Sequence, residues 1–156
     1  MVRKSKLVLA LATLAVVLFA IPAISHAGRN TTEVDAKMTG KQEVPGPGSK
    51  KGKGDFQIFL KPTQHKVCFN LDVKNLDTIT DAHIHKGAEG VAGPVKVPLF
   101  VGQTLAGTGN YNGCVKNVKK KLIKKIIAAP EKYYANVHTI EFPNGAIRGQ
   151  LALATG

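Results

Sequence analysis

The stretch that decides the fold is Lys66-Val67-Cys68-Phe69-Asn70-Leu71-Asp72-Val73-Lys74, in which apolar residues occupy every second position. Successive side chains of a β-strand point to opposite faces, so this period of two predicts a half-buried strand. The apolar set lies on one face of that strand, and Cys68 lies on the other.

Short runs of β-type residues recur on both sides of this strand, and turn residues separate them at the spacing expected of a sandwich or barrel. Strands are predicted at residues 31–39, 55–60, 66–74, 80–85, 95–100, 109–115, 132–140 and 146–153. Pro143-Asn144-Gly145, between the last two, is a strong hairpin signal. The sequence therefore predicts an all-β sandwich or barrel with one short helix.

The helix is predicted to begin with Asn117 as its N-cap and to end before Pro130, which cannot continue a helix. Apolar residues recur between them at helical spacing, namely Val118, Leu122, Ile123, Ile126 and Ile127. Lysines fill most of the remaining positions. Such a helix can lie on a membrane surface or cover the open end of a sheet, so peripheral membrane contact stays open.

The N-terminal residues resemble a targeting segment. Arg3, Lys4 and Lys6 precede an 18-residue apolar run at residues 7–24, and Ser25-His26-Ala27 supplies small residues at a cleavage position. A signal peptide at residues 1–27 is predicted, which places the protein in the periplasm or outside the cell. A retained membrane anchor is the alternative, because about 17–25 apolar residues can span a bilayer.

The chain is strongly basic, with a formal net charge of +12. Three of the 22 lysines and arginines and none of the ten acidic residues lie in residues 1–27, so cleavage leaves a charge of +9. Such a surface attracts anions, or it simply keeps the protein soluble. A nucleic-acid partner is not expected, because the chain is exported and its basic residues are not interleaved with stacking aromatics.

Cys68 and Cys114 are the only cysteines. In an exported chain a single pair is most simply a disulfide, worth about 3–4 kcal/mol for a loop of this length on a chain-entropy model. A pair of thiolates on a soft metal is the alternative.

Three of the five histidines fall in two short segments. In Ala82-His83-Ile84-His85 the histidines are two residues apart, so on a strand they share a face, about 6.5–7 Å apart along the chain. In Tyr134-Ala135-Asn136-Val137-His138 the same alternation puts His138 on the polar face. If the two strands are neighbours, three imidazoles converge. The alternative is that each ring hydrogen-bonds a carbonyl at a strand end.

Three neutral nitrogens with an open coordination position are typical of a reactive rather than a structural metal site. The ion expected at His83, His85 and His138 is a single transition metal, copper or iron before zinc. Glu43 and Glu141 are the acidic residues expected to complete the site as a ligand or to orient a histidine ligand by hydrogen-bonding to it. Either could equally be a surface charge.

Other chemistry-bearing residues are few. Arg148 is predicted to steer an anion toward the metal or to form a structural salt bridge. His65, in a polar turn, is expected to be a solvated loop residue. After residue 27 the chain has one serine, Ser49, so the sequence holds no sign of a hydrolase triad.

Four motifs resemble those of the CHRD domain, the chordin-type extracellular module. Residues 40–45 (GKQEVP) are similar to its opening motif, and residues 82–87 (AHIHKG), followed by Gly90 and Gly93-Pro94-Val95, are similar to its central one. Residues 133–139 (YYANVHT) and 143–151 (PNGAIRGQL) are similar to its closing motifs. The order and spacing agree from Val34 to Leu153.

The resemblance implies a CHRD domain at residues 28–156, with an immunoglobulin-like or Greek-key β-sandwich or barrel fold, in a bacterial-type stand-alone exported protein. Bacterial members often carry cysteines at positions like Cys68 and Cys114, which supports the disulfide. The Gly/Lys-rich loop after Val44-Pro45 departs from the family pattern.

The resemblance does not imply one function. In chordin-like animal proteins the domain accompanies growth-factor-binding modules, whereas the His-x-His pattern with a later histidine is similar to the metal strands of copper/zinc superoxide dismutases. The leading hypothesis is an exported metalloprotein that dismutates superoxide, a small anionic substrate, or handles a related oxygen species. The alternative is a non-catalytic extracellular module or a metal carrier.

Overall fold

The alternating stretch Lys66–Lys74 forms a β-strand in the computed structural model, which describes residues 31–155. Its four apolar side chains are at most 5% exposed and belong to the hydrophobic core. The period of two therefore correctly identified the buried face.

The described residues contain nine strands, one α-helix and three short 3-10 helices, and most strand bounds lie within two residues of those predicted. The strands and the α-helix are β1 Thr32–Thr39, β2 Lys53–Lys61, β3 Lys66–Lys74, β4 Ile79–Lys86, β5 Val95–Phe100, β6 Gly109–Val115, α1 Lys120–Ala128, β7 Tyr133–Thr139, β8 Ile147–Gln150 and β9 Ala152–Leu153. The all-β prediction is confirmed.

The strands form one antiparallel sheet in the order β5-β4-β7-β8-β1-β2-β3-β6, and β9 pairs with β1. The two end strands, β5 and β6, contact each other, so the sheet nearly closes on itself. The inward-facing residues of almost every strand meet in one core.

A disulfide joins Cys68 and Cys114, as predicted. The two residues lie directly opposite each other on β3 and β6, so the bond links neighbouring strands of the same sheet. Neither sulfur is therefore a free thiolate for a metal.

Helix α1 covers one end of the sheet. Ile123 and Ile126 are fully buried in the core, and the helix contacts the turn Pro62–Gln64 and strand β2. The prediction that Asn117 is the N-cap is wrong. The helix begins at Lys120, because Asn117 has a left-handed backbone (φ 62°) and the N–H of the next residue bonds to the carbonyl of His65.

The strand predicted at residues 146–153 is two strands. Strand β8 pairs with β7, whereas β9 pairs with β1. Between them the N–H of Leu151 donates to the carbonyl of Tyr133. The chain thus changes its partner strand from β7 to β1 within this segment.

No helix within residues 31–155 is both long and apolar enough to cross a bilayer. The signal peptide predicted at residues 1–27, and its alternative as a membrane anchor, lie outside the described residues.

Candidate metal centre

Strands β4 and β7 are antiparallel neighbours, which is the condition on which the predicted metal site depended. His83 lies opposite Asn136, and His138 lies opposite Asp81. Between the two histidines of β4, Ile84 is fully buried and faces the core. The histidines therefore lie together on the outer face of the sheet.

The three imidazoles converge on one point. One ring nitrogen from each of His83, His85 and His138 lies within 4.8 Å of the others, and the closest pair, Nδ1 of His83 and Nε2 of His138, is 3.2 Å apart. Nitrogens that share an ion at about 2.0–2.1 Å lie at most about 4.2 Å apart, so small ring rotations suffice. His65 is exposed in its turn and lies outside this group, as expected.

Backbone carbonyls fix the orientation of two of the rings. Nδ1 of His85 lies 2.9 Å from the carbonyl oxygen of Gly93, and Nδ1 of His138 lies 2.9 Å from that of Pro143. A carbonyl only accepts, so each Nδ1 carries the proton, and each neutral ring presents the lone pair of Nε2. Two of the three rings therefore bond carbonyls, as the alternative predicted, while the ring of His83 contacts Nε2 of His138. The same three histidines form a group that could hold a metal ion.

Nε2 of His85 is buried and has no hydrogen-bond partner among the described residues. Leaving a buried polar atom unpaired costs about 1–3 kcal/mol, so such atoms are rare unless a ligand meets them. The lone pair of this nitrogen therefore lacks a partner that accepts it among the described protein atoms. The donor set fits a transition-metal ion.

The environment favours the neutral form of His83 and His85, which is the form that binds metals. Burial lowers the pKa of His83 to about 4, helped by His138 and His85 and opposed by Asp81. Burial also lowers the pKa of His85, against the hydrogen bond to Gly93. At neutral pH a cation therefore competes with few protons at these two nitrogens.

Asp81 is a neighbour of the site that sequence reasoning missed. Burial alone would raise the pKa of this carboxyl, but hydrogen bonds from Thr80 and the Gly102 N–H, together with His83 and His138, lower it overall. Its charge favours a cation at the histidines. Its position two residues before His83, on the same strand face, was the signal that could have identified it.

Neither predicted glutamate joins the three-histidine group. Glu141 is exposed, and its backbone N–H bonds to Asp77. Glu43 is only 6% exposed, and both of its oxygens accept from Nδ2 of Asn136, at 3.0 and 2.9 Å. Because Asn136 lies opposite His83 on the neighbouring strand, one residue separates Glu43 from the histidine group.

Burial raises the pKa of Glu43 to about 7, although the hydrogen bond from Asn136 and the charge of Arg148 oppose the rise. A carboxyl whose pKa is raised on folding stabilises the protein when protonated. That contribution is complete below the unfolded pKa of about 4.3 and disappears as the pH rises through 7.

We therefore expect Glu43→Gln to remove this pH dependence. Between pH 5 and 8 the free energy of unfolding of the wild-type protein should fall by about 2–3 kcal/mol relative to the variant. Denaturant unfolding of both proteins at each pH measures the difference, and the histidines cancel because both proteins contain them. A constant difference across this range would contradict the raised pKa.

Arg148 is buried rather than exposed to incoming anions, with 2% of its surface accessible. Its Nη2 donates to the carbonyl oxygens of Ala88 and Val91, at 2.8 and 3.0 Å. These carbonyls belong to residues 87–94, which we call the covering loop because it also carries Gly93, the hydrogen-bond partner of His85.

Tyr134 links Arg148 to the histidines, and sequence reasoning gave it no role. The guanidinium lies 3.5 Å above the centre of its ring, and the other side of the stack is His85, 4.7 Å away and nearly parallel. The hydroxyl of Tyr134 bonds to both backbone groups of Gly93. The alternation that placed His138 on the polar face had already placed Tyr134 on that same face.

Residues 34–151 match the family model of the CHRD domain. The chain belongs to the CHRD domain family. The match spans all four motifs noted in the sequence and extends from β1 to the residue after β8. No curated protein and no solved structure gives a significant match. The CHRD fold of this chain therefore brings its central and closing motifs together on β4 and β7, where the histidines meet.

Proposed function

We propose that this CHRD protein is an exported metalloprotein that holds one copper or iron ion through His83, His85 and His138 and dismutates superoxide or acts on a related oxygen species. The observation that carries the proposal is the convergence of three imidazoles with a buried, unpartnered Nε2 on His85. Three neutral nitrogen ligands leave a coordination position open for a small substrate.

A redox ion in this site supplies one-electron chemistry, by which two superoxide ions and two protons yield one dioxygen and one hydrogen peroxide. The chain supplies the rest. The carbonyls of Gly93 and Pro143 hold two rings in place, and the formal charge of +9 that remains after cleavage of residues 1–27 attracts a small anion. The disulfide and the signal-like residues 1–27 support export.

A second candidate function is a non-catalytic metal carrier or extracellular binding module. It is favoured by the placement of Arg148, whose Nη2 is bound to the covering loop and is not presented to solvent. A carrier needs the three ligands but no group that guides an anion to the ion.

Metal loading and superoxide assays test both functions. Protein without a histidine tag is incubated separately with copper, iron and zinc, freed of excess metal, analysed for bound metal and assayed for superoxide turnover. We expect one equivalent of metal, with turnover in the copper or iron form and none in the zinc form. One equivalent without turnover in any form would leave the carrier. No bound metal would overturn both the enzyme and the carrier and would favour the non-catalytic binding module.

A further inference from the structure

Lysines from three separate elements surround one surface hollow of about 260 Å³ beside α1. Leu122 and Tyr133 complete its wall. We call it the lysine hollow, and its charged residues are Lys86 at the end of β4, Lys96 on β5, Lys119 before α1, and Lys121 and Lys125 on α1.

None of these five lysines forms an ion pair with a carboxylate of residues 31–155. The ion pairs within residues 31–155 are Lys37 with Asp55 and Lys74 with Asp72, and neither includes a lysine of the hollow. Five ammonium groups around one concavity repel one another, so an anion that enters is attracted by all of them.

The backbone that carries these lysines is fixed. Ile123 and Ile126 anchor α1 in the core, and β4 and β5 are paired strands of the sheet. An anion therefore meets lysines whose backbone positions are already set, which lowers the entropic cost of binding.

We propose that the lysine hollow binds an anionic phosphate group. Lysine is a common phosphate ligand because its compact ammonium acts as a point charge. A hollow of about 260 Å³ has room for a short phosphate chain that keeps part of its hydration. This proposal does not depend on a metal at the histidines.

The phosphate has two natural sources with the same chemistry, a free anion such as pyrophosphate or the headgroup of a phospholipid at a membrane surface. The apolar side of α1 is buried in the core, so contact with a membrane would be electrostatic and would not involve insertion of the helix.

The test compares two variants that lose the same charge. The first replaces four lysines of the hollow, and the control replaces four exposed lysines that do not line it. The hollow variant is Lys86→Gln, Lys96→Gln, Lys121→Gln and Lys125→Gln, and the control variant is Lys41→Gln, Lys50→Gln, Lys51→Gln and Lys53→Gln.

Pyrophosphate binding is measured by calorimetry in dilute salt, and co-sedimentation is measured with phosphatidylglycerol and with uncharged phosphatidylcholine vesicles. We expect one-to-one pyrophosphate binding, weakened about tenfold or more in the hollow variant and less than about twofold in the control. Retention by phosphatidylglycerol vesicles alone, lost in the hollow variant only, would support the proposal with the lipid as the source.

Amide chemical shifts of the wild-type protein give an answer even if the hollow variant folds poorly. Pyrophosphate should shift the amides around Lys86, Lys96 and α1 before others. Equal weakening in both variants, shifts spread over all basic regions, or no binding of either probe would overturn the proposal.

Discussion

Replacement of His83 by alanine is expected to lower the affinity of the protein for copper or iron by about a hundredfold or more while the fold persists. Removal of the His83 side chain should disturb the structure least of the three, because among the described residues its ring hydrogen-bonds only to His138. The other two rings keep their bonds to the carbonyls of Gly93 and Pro143, so two oriented ligands remain where three are needed. Calorimetric titration of the untagged, metal-free protein measures the affinity.

The matched control is His65→Ala, which removes an exposed imidazole from a turn outside the site. Metal at a hundred times its dissociation constant stabilises a protein by about 2.7 kcal/mol, so wild-type protein and His65→Ala should melt at higher temperature with metal, and His83→Ala should not. A His83→Ala protein with wild-type affinity would show that the histidines do not share an ion.

The sequence predicted best those parts of the fold that local alternation decides. Strand β3 was predicted with its observed bounds, because its apolar side chains alternate without interruption. The division between β8 and β9 was missed because it depends on a change of partner from β7 to β1, and no local pattern records which strand lies alongside. The start of α1 was missed because the N–H of Val118 donates to the distant carbonyl of His65.

In the candidate site, too, local features were predicted and long-range contacts were not. The strand faces of His83, His85 and His138 followed from the period of two, but their convergence required β4 and β7 to be neighbours, which is a long-range fact. Glu43 is buried against Asn136, which is far from it in the chain, and no local sequence pattern predicts this contact. The sequence left Arg148 between steering an anion and forming a salt bridge, whereas in the structure it is buried and donates to carbonyls of the covering loop.

Replacement of Arg148 by methionine is expected to lower the free energy of unfolding of the metal-free protein by about 2–4 kcal/mol. Methionine has a similar length but cannot donate to the carbonyls of Ala88 and Val91, and it loses the cation–π contact with Tyr134. Hydrogen bonds from a charged group contribute about 1.5–3 kcal/mol each, offset here because the freed carbonyls can turn to water. Denaturant unfolding without metal measures the loss.

Arg148→Lys separates this supporting role from the anion-steering role that the sequence predicted. Lysine keeps the charge but lacks the planar fork that reaches two carbonyls while lying flat on a tyrosine ring. If Arg148 holds the covering loop, the lysine variant should lose most of the free energy of unfolding that the methionine variant loses. Both variants should then also bind metal more weakly, because the carbonyl of Gly93 that orients His85 lies on that loop. If Arg148 instead guides superoxide, both variants should be as stable as the wild type, and only methionine should slow turnover and weaken its dependence on salt.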